Sequence, residues 1–391
     1  MKKLIAVLLV LCMSAGLCAC IEKVREQPPR LVSEDTTPQA TQSTTPKATP
    51  EATPQATPVP TLEPTKAPSP EPTEAPKVKE SAEVTMARTV LAEIEKVAGE
   101  EVVAKPLFWK VTGPEGMGTL YMLGSFHMTD AQAYKVHPTI MEAYRASDRC
   151  AFEFDLVETL SDTTALMAMY MSMLNPNGEK LETIVGKELY DKMKAFLEES
   201  GNYMAGLEYY GPNLWDSLIS QQIYAEAGIG EVSGYDEYFN SLAYLDGKGV
   251  LGVESYEFQN DLLQQQDVRS VIMGLEEMMD ETGREELVGV CKDLYNSWLN
   301  GDEKALMELL GNDYSDPEFL ALDEDLQENI KVYNRKMVEE RNYGMARAYR
   351  EYIKQGGTTF CVVGTAHYLG AEGIVSLLRQ EGFNVEKITL E

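Results

Sequence analysis

The sequence predicts an α/β domain with a central mixed sheet, flanking helices and a long helical insertion, preceded by a tether that stays disordered. Three observations predict it. Short apolar runs punctuated by glycine stand at both ends of residues 81–391, with helix-like patterning between them. Strands so far apart in the chain belong to one sheet more readily than to two separate halves. The first 80 residues lack the large apolar side chains that a core needs, so the 391-residue length does not imply two or three domains.

Residues 1–20, MKKLIAVLLVLCMSAGLCAC, place two lysines before an apolar stretch and end in small residues, the layout of a secretory signal. The stretch from Leu4 to Leu11 is too short to span a bilayer as a lasting helix. Leu17-Cys18-Ala19-Cys20 resembles a bacterial lipoprotein box, which makes Cys20 the lipid-bearing first residue of the mature chain. Cleavage without a lipid is the plainer alternative, and both export the protein. Residues 21–80 are rich in Pro, Thr, Glu, Ala and Gln, as in KATPEATPQATPVP, and cannot bury enough surface to offset the entropy of ordering. In extended polyproline form, at about 3.1 Å per residue, some 50 residues reach roughly 150 Å. That reach suits a lipoprotein on the outer face of the cell membrane beneath a thick wall, so a Gram-positive surface is the expected location.

The first 80 residues hold nine Lys/Arg and nine Asp/Glu, so the net charge of −29 belongs to the remainder. A domain so acidic repels nucleic acid and anionic polymers and favours cations or basic partners. Cys150, Cys291 and Cys361 show no metal-ligand spacing and read as buried thiols; one disulfide outside the cell is the alternative and would leave one thiol over.

In chain order, a helix over Val84–Val97 leads in. LFWKVTGPEGMGTLYMLGSFH reads as a hairpin, Leu107–Val111 and Thr119–Leu123 around a Gly/Pro turn. Pro138 opens a helix to about Ala146. CAFEFDL, Cys150–Leu156, reads as a buried strand with a carboxylate in its middle. Residues 160–310 are mostly helical, with an extended insert at Gly247–Ser255. A long polar helix runs from about Leu326 to Lys354. Strand, helix and strand close the chain in TTFCVVG, GAEGIVSLLRQEGF and NVEKITL.

Two of the three histidines stand in one setting: LGSFH ends at His127 and VGTAH at His367, each three residues after a glycine that ends an apolar run. Ligands bind at the C-terminal ends of strands in open α/β sheets, and glycine lets the backbone turn there. If the two strands are neighbours, the imidazoles face each other across a crevice and, with carboxylates, suit a divalent metal. Glu153 lies in an apolar run, where burial demands a charged partner or a metal; an exposed strand end is the alternative. His137, with no strand or glycine turn before it, reads as a surface residue. Ser125 and Thr365 stand two residues before each histidine as hydrogen-bonding support rather than as nucleophiles. Tyr203, Tyr209, Tyr210 and Trp215 read as core rather than as cleft lining.

At these residues the sequence resembles the TraB/GumN family, which includes PrgY-type pheromone shutdown proteins and the animal Tiki proteases. The resemblance covers roughly Pro106 to Glu391 and rests on LGSFH, VGTAH and GTAHYLGAEGIVSLLRQEGFNVEKI. Further matches are the glutamate of AFEFDL, Asp236 in GYDEYF, Glu254 and Gln259 in GVESYEFQ, and the Arg341-Asn342 pair. Ser125 stands where the family often has threonine, and Met128 follows His127. The resemblance implies a fold akin to the erythromycin esterase and ChaN-like proteins. For Tiki-like members it implies a peptidase active with manganese or cobalt, and it places His127, Glu153 and His367 at the metal centre.

The expectation is therefore a surface-anchored metallohydrolase acting on a peptide or protein, with manganese or cobalt favoured and zinc or iron as alternatives. His127, Glu153 and His367 are the expected ligands. Glu254 is the candidate general base or a further ligand, and Arg341 and Asn342 are candidates to hold a substrate carboxylate or steady an oxyanion. Two competing expectations stand beside it. One is a lipoprotein that sequesters a peptide signal or a cation without chemistry. The other is a metal-free hydrolase with a histidine base.

Overall fold

The computed structural model describes residues 80–391 apart from 115 and 231; the expected signal, Cys20 and nearly all of the expected tether lie outside the described residues. α1 (Ala82–Val97) begins at Ser81, whose hydroxyl accepts from the Val84 amide, and buries Leu91 and Ile94. β1 (Phe108–Thr112) and β2 (Thr119–Ser125) form the expected antiparallel hairpin. After a short strand, β3 (Met128–Thr129), α2 (Pro138–Ala146) begins at the predicted proline. His137, expected at the surface, is partly exposed and also caps α2, its Nδ1 accepting from the Thr139 amide.

β4 (Arg149–Phe152) is shorter than the run to Leu156 suggested. Asp155 accepts from the Glu158 amide and caps α3 (Leu156–Ser161), so the chain leaves the sheet at Glu153. The helices α4 (Thr163–Ser172), α5 (Leu181–Val185), α6 (Lys187–Glu199) and α7 (Pro212–Glu226) follow. β5 (Val232–Ser233) pairs with β3, and α8 (Tyr235–Leu245) returns the chain to the sheet. The extended insert is β6 (Gly249–Gly252), an edge strand of the central sheet, so the helical middle is two excursions rather than one.

The second excursion comprises α9 (Tyr256–Leu263), α10 (Val268–Met279), α11 (Glu281–Leu299), α12 (Glu303–Leu310) and α13 (Pro317–Leu320). The long polar helix is continuous but not uniform. α14 (Glu324–Arg335) passes through a π-helical turn, Lys336–Glu340, into α15 (Arg341–Gln355). β7 (Thr358–Gly364), a 3₁₀ turn over Thr365–Tyr368, α16 (Ile374–Gln380) and β8 (Asn384–Lys387) complete the chain.

The sheet order is β6-β4-β7-β2-β1-β8. The first four strands are parallel, and β1 is antiparallel to both its neighbours, which makes the sheet mixed. α2 and α8 cover one face, where Tyr144 and Phe239 pack on Phe360. Tyr349 of α15 and Tyr368 meet on the other, with the Tyr368 hydroxyl donating to the Cys361 carbonyl. A parallel sheet needs both faces covered, and these helices supply the cover. Cys150, Cys291 and Cys361 are buried free thiols. Among the described residues no helix is long and apolar enough to cross a membrane.

Candidate active site

The four parallel strands end side by side, and just beyond each end stands one ionisable group: Glu254 after β6, Glu153 after β4, His367 after β7 and His127 after β2. The two histidine turns are direct neighbours, since Ser125 pairs with Gly364 in the ladder. Glu153 and Glu254 are likewise tied, the Glu254 amide donating to the Glu153 carbonyl at 2.8 Å.

Each imidazole is oriented through its Nδ1. His127 Nδ1 lies 3.2 Å from Asp236 Oδ2 and His367 Nδ1 lies 2.7 Å from Asn342 Oδ1, so both rings donate from Nδ1 and turn Nε2 inward. Asp236 is fixed in turn: the Ser125 hydroxyl donates to its Oδ1 at 2.6 Å and accepts from its amide at 3.1 Å. Gly234 permits this closeness, because a Cβ there would stand 2.2 Å from the Phe126 carbonyl oxygen. The Thr365 hydroxyl donates to the Ser125 carbonyl at 2.9 Å, so both hydroxyls support the turns and neither touches an imidazole.

Arg341 and Asn342, expected on a solvated helix, are buried at 6% and 1% exposure. The Arg341 guanidinium joins two strand ends: Nη2 lies 2.5 Å from Glu153 Oε2 and 2.8 Å from Glu254 Oε2, and Nε donates to both Glu254 oxygens at 3.1 Å. Gln259, which had no role in the sequence reading beyond its family match, donates to Glu153 at 3.0 Å and Glu254 at 2.9 Å. Its signal was its place one turn into a helix that begins beside Glu254. Trp298 is a further supporting residue the sequence did not reveal; its indole donates to the Gly124 carbonyl at 2.9 Å.

Burial favours a neutral Glu153, but Arg341, both histidines and the Gly364 amide outweigh it and hold the carboxyl well below the usual range. Burial, reinforced by Arg341, lowers His367 to about 3, so its Nε2 carries a lone pair at neutral pH. Burial also disfavours a charged His127, yet Asp236 and Glu153 prevail and raise it to about 9.

A cavity of about 810 Å³, its solvent-open mouth included, joins this cluster to an apolar wall of Leu262, Leu294, Leu306, Leu310 and Met337. Tyr203, Tyr209, Tyr210 and Trp215 do not line it; the aromatics that do are Phe126 and Tyr224. Trp215 is fully buried in the core.

Among the described residues no three His, Cys, Asp or Glu side chains stand as a group that could hold a metal ion. Arg341 draws Glu153 Oε2 away, and His367 Nε2 remains 3.8 Å from Glu153 Oε1. The donor chemistry nonetheless suits a divalent cation once it displaces the proton from His127 Nε2. A Cβ added at Gly364 would lie 3.2 Å from Glu153 Oε1 and 3.3 Å from His127 Nε2, so glycine keeps a space open between an imidazole nitrogen and a carboxylate oxygen. The acceptor on each Nδ1 is the arrangement that orients metal-binding histidines.

Four parallel strand ends that gather two histidines and two glutamates around one arginine define an α/β protein with a polar site at the sheet's C-terminal edge. The chain belongs to the TraB/PrgY/gumN family, whose model matches residues 107–387. It is similar to "Metalloprotease TIKI2" of Danio rerio, 23% identical over 318 residues that cover 71% of this chain and 60% of that protein. It is also similar to "Metalloprotease TIKI2" of Xenopus tropicalis, 22% identical and covering 68% and 57%, and to "Metalloprotease TIKI1" of Danio rerio, 24% identical and covering 68% and 60%. The chain therefore spans less than two thirds of the length of these curated relatives. No solved structure matches it.

Proposed function

We propose that this protein is a divalent-metal-dependent hydrolase, a peptidase, held at the outer face of the cell membrane by a lipid on Cys20. The observation that carries the reading is the pair of Nδ1-anchored histidines turned toward Glu153 at the parallel strand ends. The similarity to proteins named metalloproteases supports it. His127, His367 and Glu153 would hold the cation, manganese or cobalt first, then zinc or iron. When bound, it supplies Lewis acidity toward a scissile carbonyl.

The chain's own residues do the positioning. Asp236 fixes the ring of His127, and Asn342 fixes the tautomer of His367. Arg341 bridges Glu153 and Glu254, so it serves these carboxylates rather than a substrate carboxylate. Glu254, with both oxygens on Arg341, is placed to orient that arginine rather than to take a proton. The apolar wall excludes water from one side of the substrate.

One observation favours a second reading, capture of a peptide or cation without turnover: both glutamates of the cluster are committed to Arg341. Elemental analysis of the protein purified without chelator, beside the His127→Ala/His367→Ala double variant, comes first. About one equivalent of metal in the wild type, none in a folded double variant, and hydrolysis of peptides only by the loaded protein is the expected result. No uptake after incubation with manganese or cobalt removes the metallohydrolase, and uptake without turnover leaves the capture protein.

A further inference from the structure

Beside the main cavity lies a smaller pocket that holds a buried amide oxygen and a carboxylate, each without a hydrogen-bond partner among the described residues. Asn213, Asp216 and Ser217 from one face of α7 line it with Asn260 of α9 and Gln264, and Leu263 belongs to both pockets. Asn213 uses its NH₂ on the Leu263 carbonyl at 2.9 Å, and Asn260 uses its own on Ser172 Oγ at 3.2 Å. Ser217 donates its hydroxyl to the Asn213 carbonyl at 3.0 Å. Asn260 is 6% exposed, and its buried Oδ1 has no hydrogen-bond partner among the described residues. The Asp216 carboxylate also has no hydrogen-bond or ion-pair partner among them, and burial alone pushes its pKa up to about 7.

A buried oxygen without a donor and a carboxylate without a counter-charge are both costly, and one ligand relieves both: a cation that carries several N–H donors. We propose that this pocket binds the primary ammonium group of a peptide lying in the main cavity, either a lysine side chain or a chain-terminal amine. The proposal rests on the reading of that cavity as a peptide site. An ammonium suits the pocket better than a bare metal ion. Hard divalent cations gather six or more oxygens, commonly several carboxylates, whereas one carboxylate flanked by neutral amide oxygens matches three N–H donors. Met173, Leu214 and Leu263 line the same pocket and suit an aliphatic stem.

The test measures binding, not turnover, on the full chain. Calorimetric or ligand-observed NMR titrations use N-acetyl-lysine methylamide, norleucine methylamide and the neutral N-acetyl-norleucine methylamide, with wild type and Asp216→Asn. One of the two amines should bind at least about tenfold tighter than the neutral compound, and that advantage should vanish in Asp216→Asn. Which amine wins identifies the lysine side chain or the terminal amine as the source. Equal binding of all three, no binding of any, or an advantage that survives in Asp216→Asn would overturn the proposal. So would a melting temperature raised by potassium or calcium chloride and not by the amines. Because hydrolysis is not read, a negative result leaves the peptidase reading standing, and an inactive protein leaves this result intact.

Discussion

Arg341 is the residue on which the site's stability most depends, because its guanidinium pairs with two carboxylates that are nearly inaccessible to water. Removing one partner of a buried pair leaves the other charge uncompensated, which typically costs about 3–5 kcal/mol. Arg341→Ala should therefore lower stability by that order in urea unfolding. A loss under 1 kcal/mol would mean that the two glutamates find water or protons cheaply. Gly364 tests the space between the imidazoles and Glu153 with little effect on folding. Its φ of −52° and ψ of 135° suit alanine, but the new methyl would enter the gap. Gly364→Ala should keep a melting temperature close to wild type and lose most metal uptake. Uptake equal to wild type would place the metal elsewhere. At this scale the sequence had announced both histidines and Glu153 through their turns and their apolar run. Gln259 was visible as a family match without a role, and Trp298 stayed hidden because a tryptophan on a helix looks like ordinary core.

At the level of elements, the π-helical turn between α14 and α15 places Arg341 and Asn342. One extra residue in a turn rotates everything beyond it by about 100° relative to what precedes it. α14 thus buries Ile330 and Tyr333 while α15 turns Arg341 and Asn342 to the strand ends. Deleting the exposed Glu339 should turn the π-helical turn into regular α-helix with both faces still in phase and cost under about 1 kcal/mol, whereas inserting an alanine after Glu339 should rotate α15 out of phase and cost at least about 3 kcal/mol. Equal effects of the two changes would show that the turn has no positioning role. The sequence showed a long polar helix but not this turn, because the polar pattern of VEERNYGMARAYREYI hides which polar residues face inward. The shortened β4 is the converse case: a local cap at Asp155 ended a strand that apolar patterning would have continued.

For the molecule as a whole, stability and location each yield an expectation. Asp216 is held near pKa 7 in the fold against an ordinary value of 3.8. The folded state therefore binds a proton that the unfolded state has lost, so this residue's contribution falls as pH rises from about 4 to about 7 and is flat above that. Asp216→Asn should raise unfolding stability at pH 8 by roughly 2–4 kcal/mol and change little at pH 4. No gain at pH 8 would mean that Asp216 is ionised without penalty. The proposed anchor predicts that the wild type fractionates with membranes and that Cys20→Ala releases it to the soluble extracellular fraction. Soluble wild type would remove the lipid.

The sequence by itself determined the class of fold, the repetition of one glycine–histidine motif and the family. Apolar runs and glycine turns are local signals, and two copies of one motif in a chain with three histidines are not lost among ordinary surface residues. Only the tertiary structure decided that β6 belongs to the sheet, that Arg341 and Asn342 are buried, and that Glu254 pairs with the arginine. Those facts depend on which strand ends meet and on how a helix is phased against them, and such contacts span up to 188 residues of chain, as between Arg341 and Glu153. Local patterning carries no information about partners that distant.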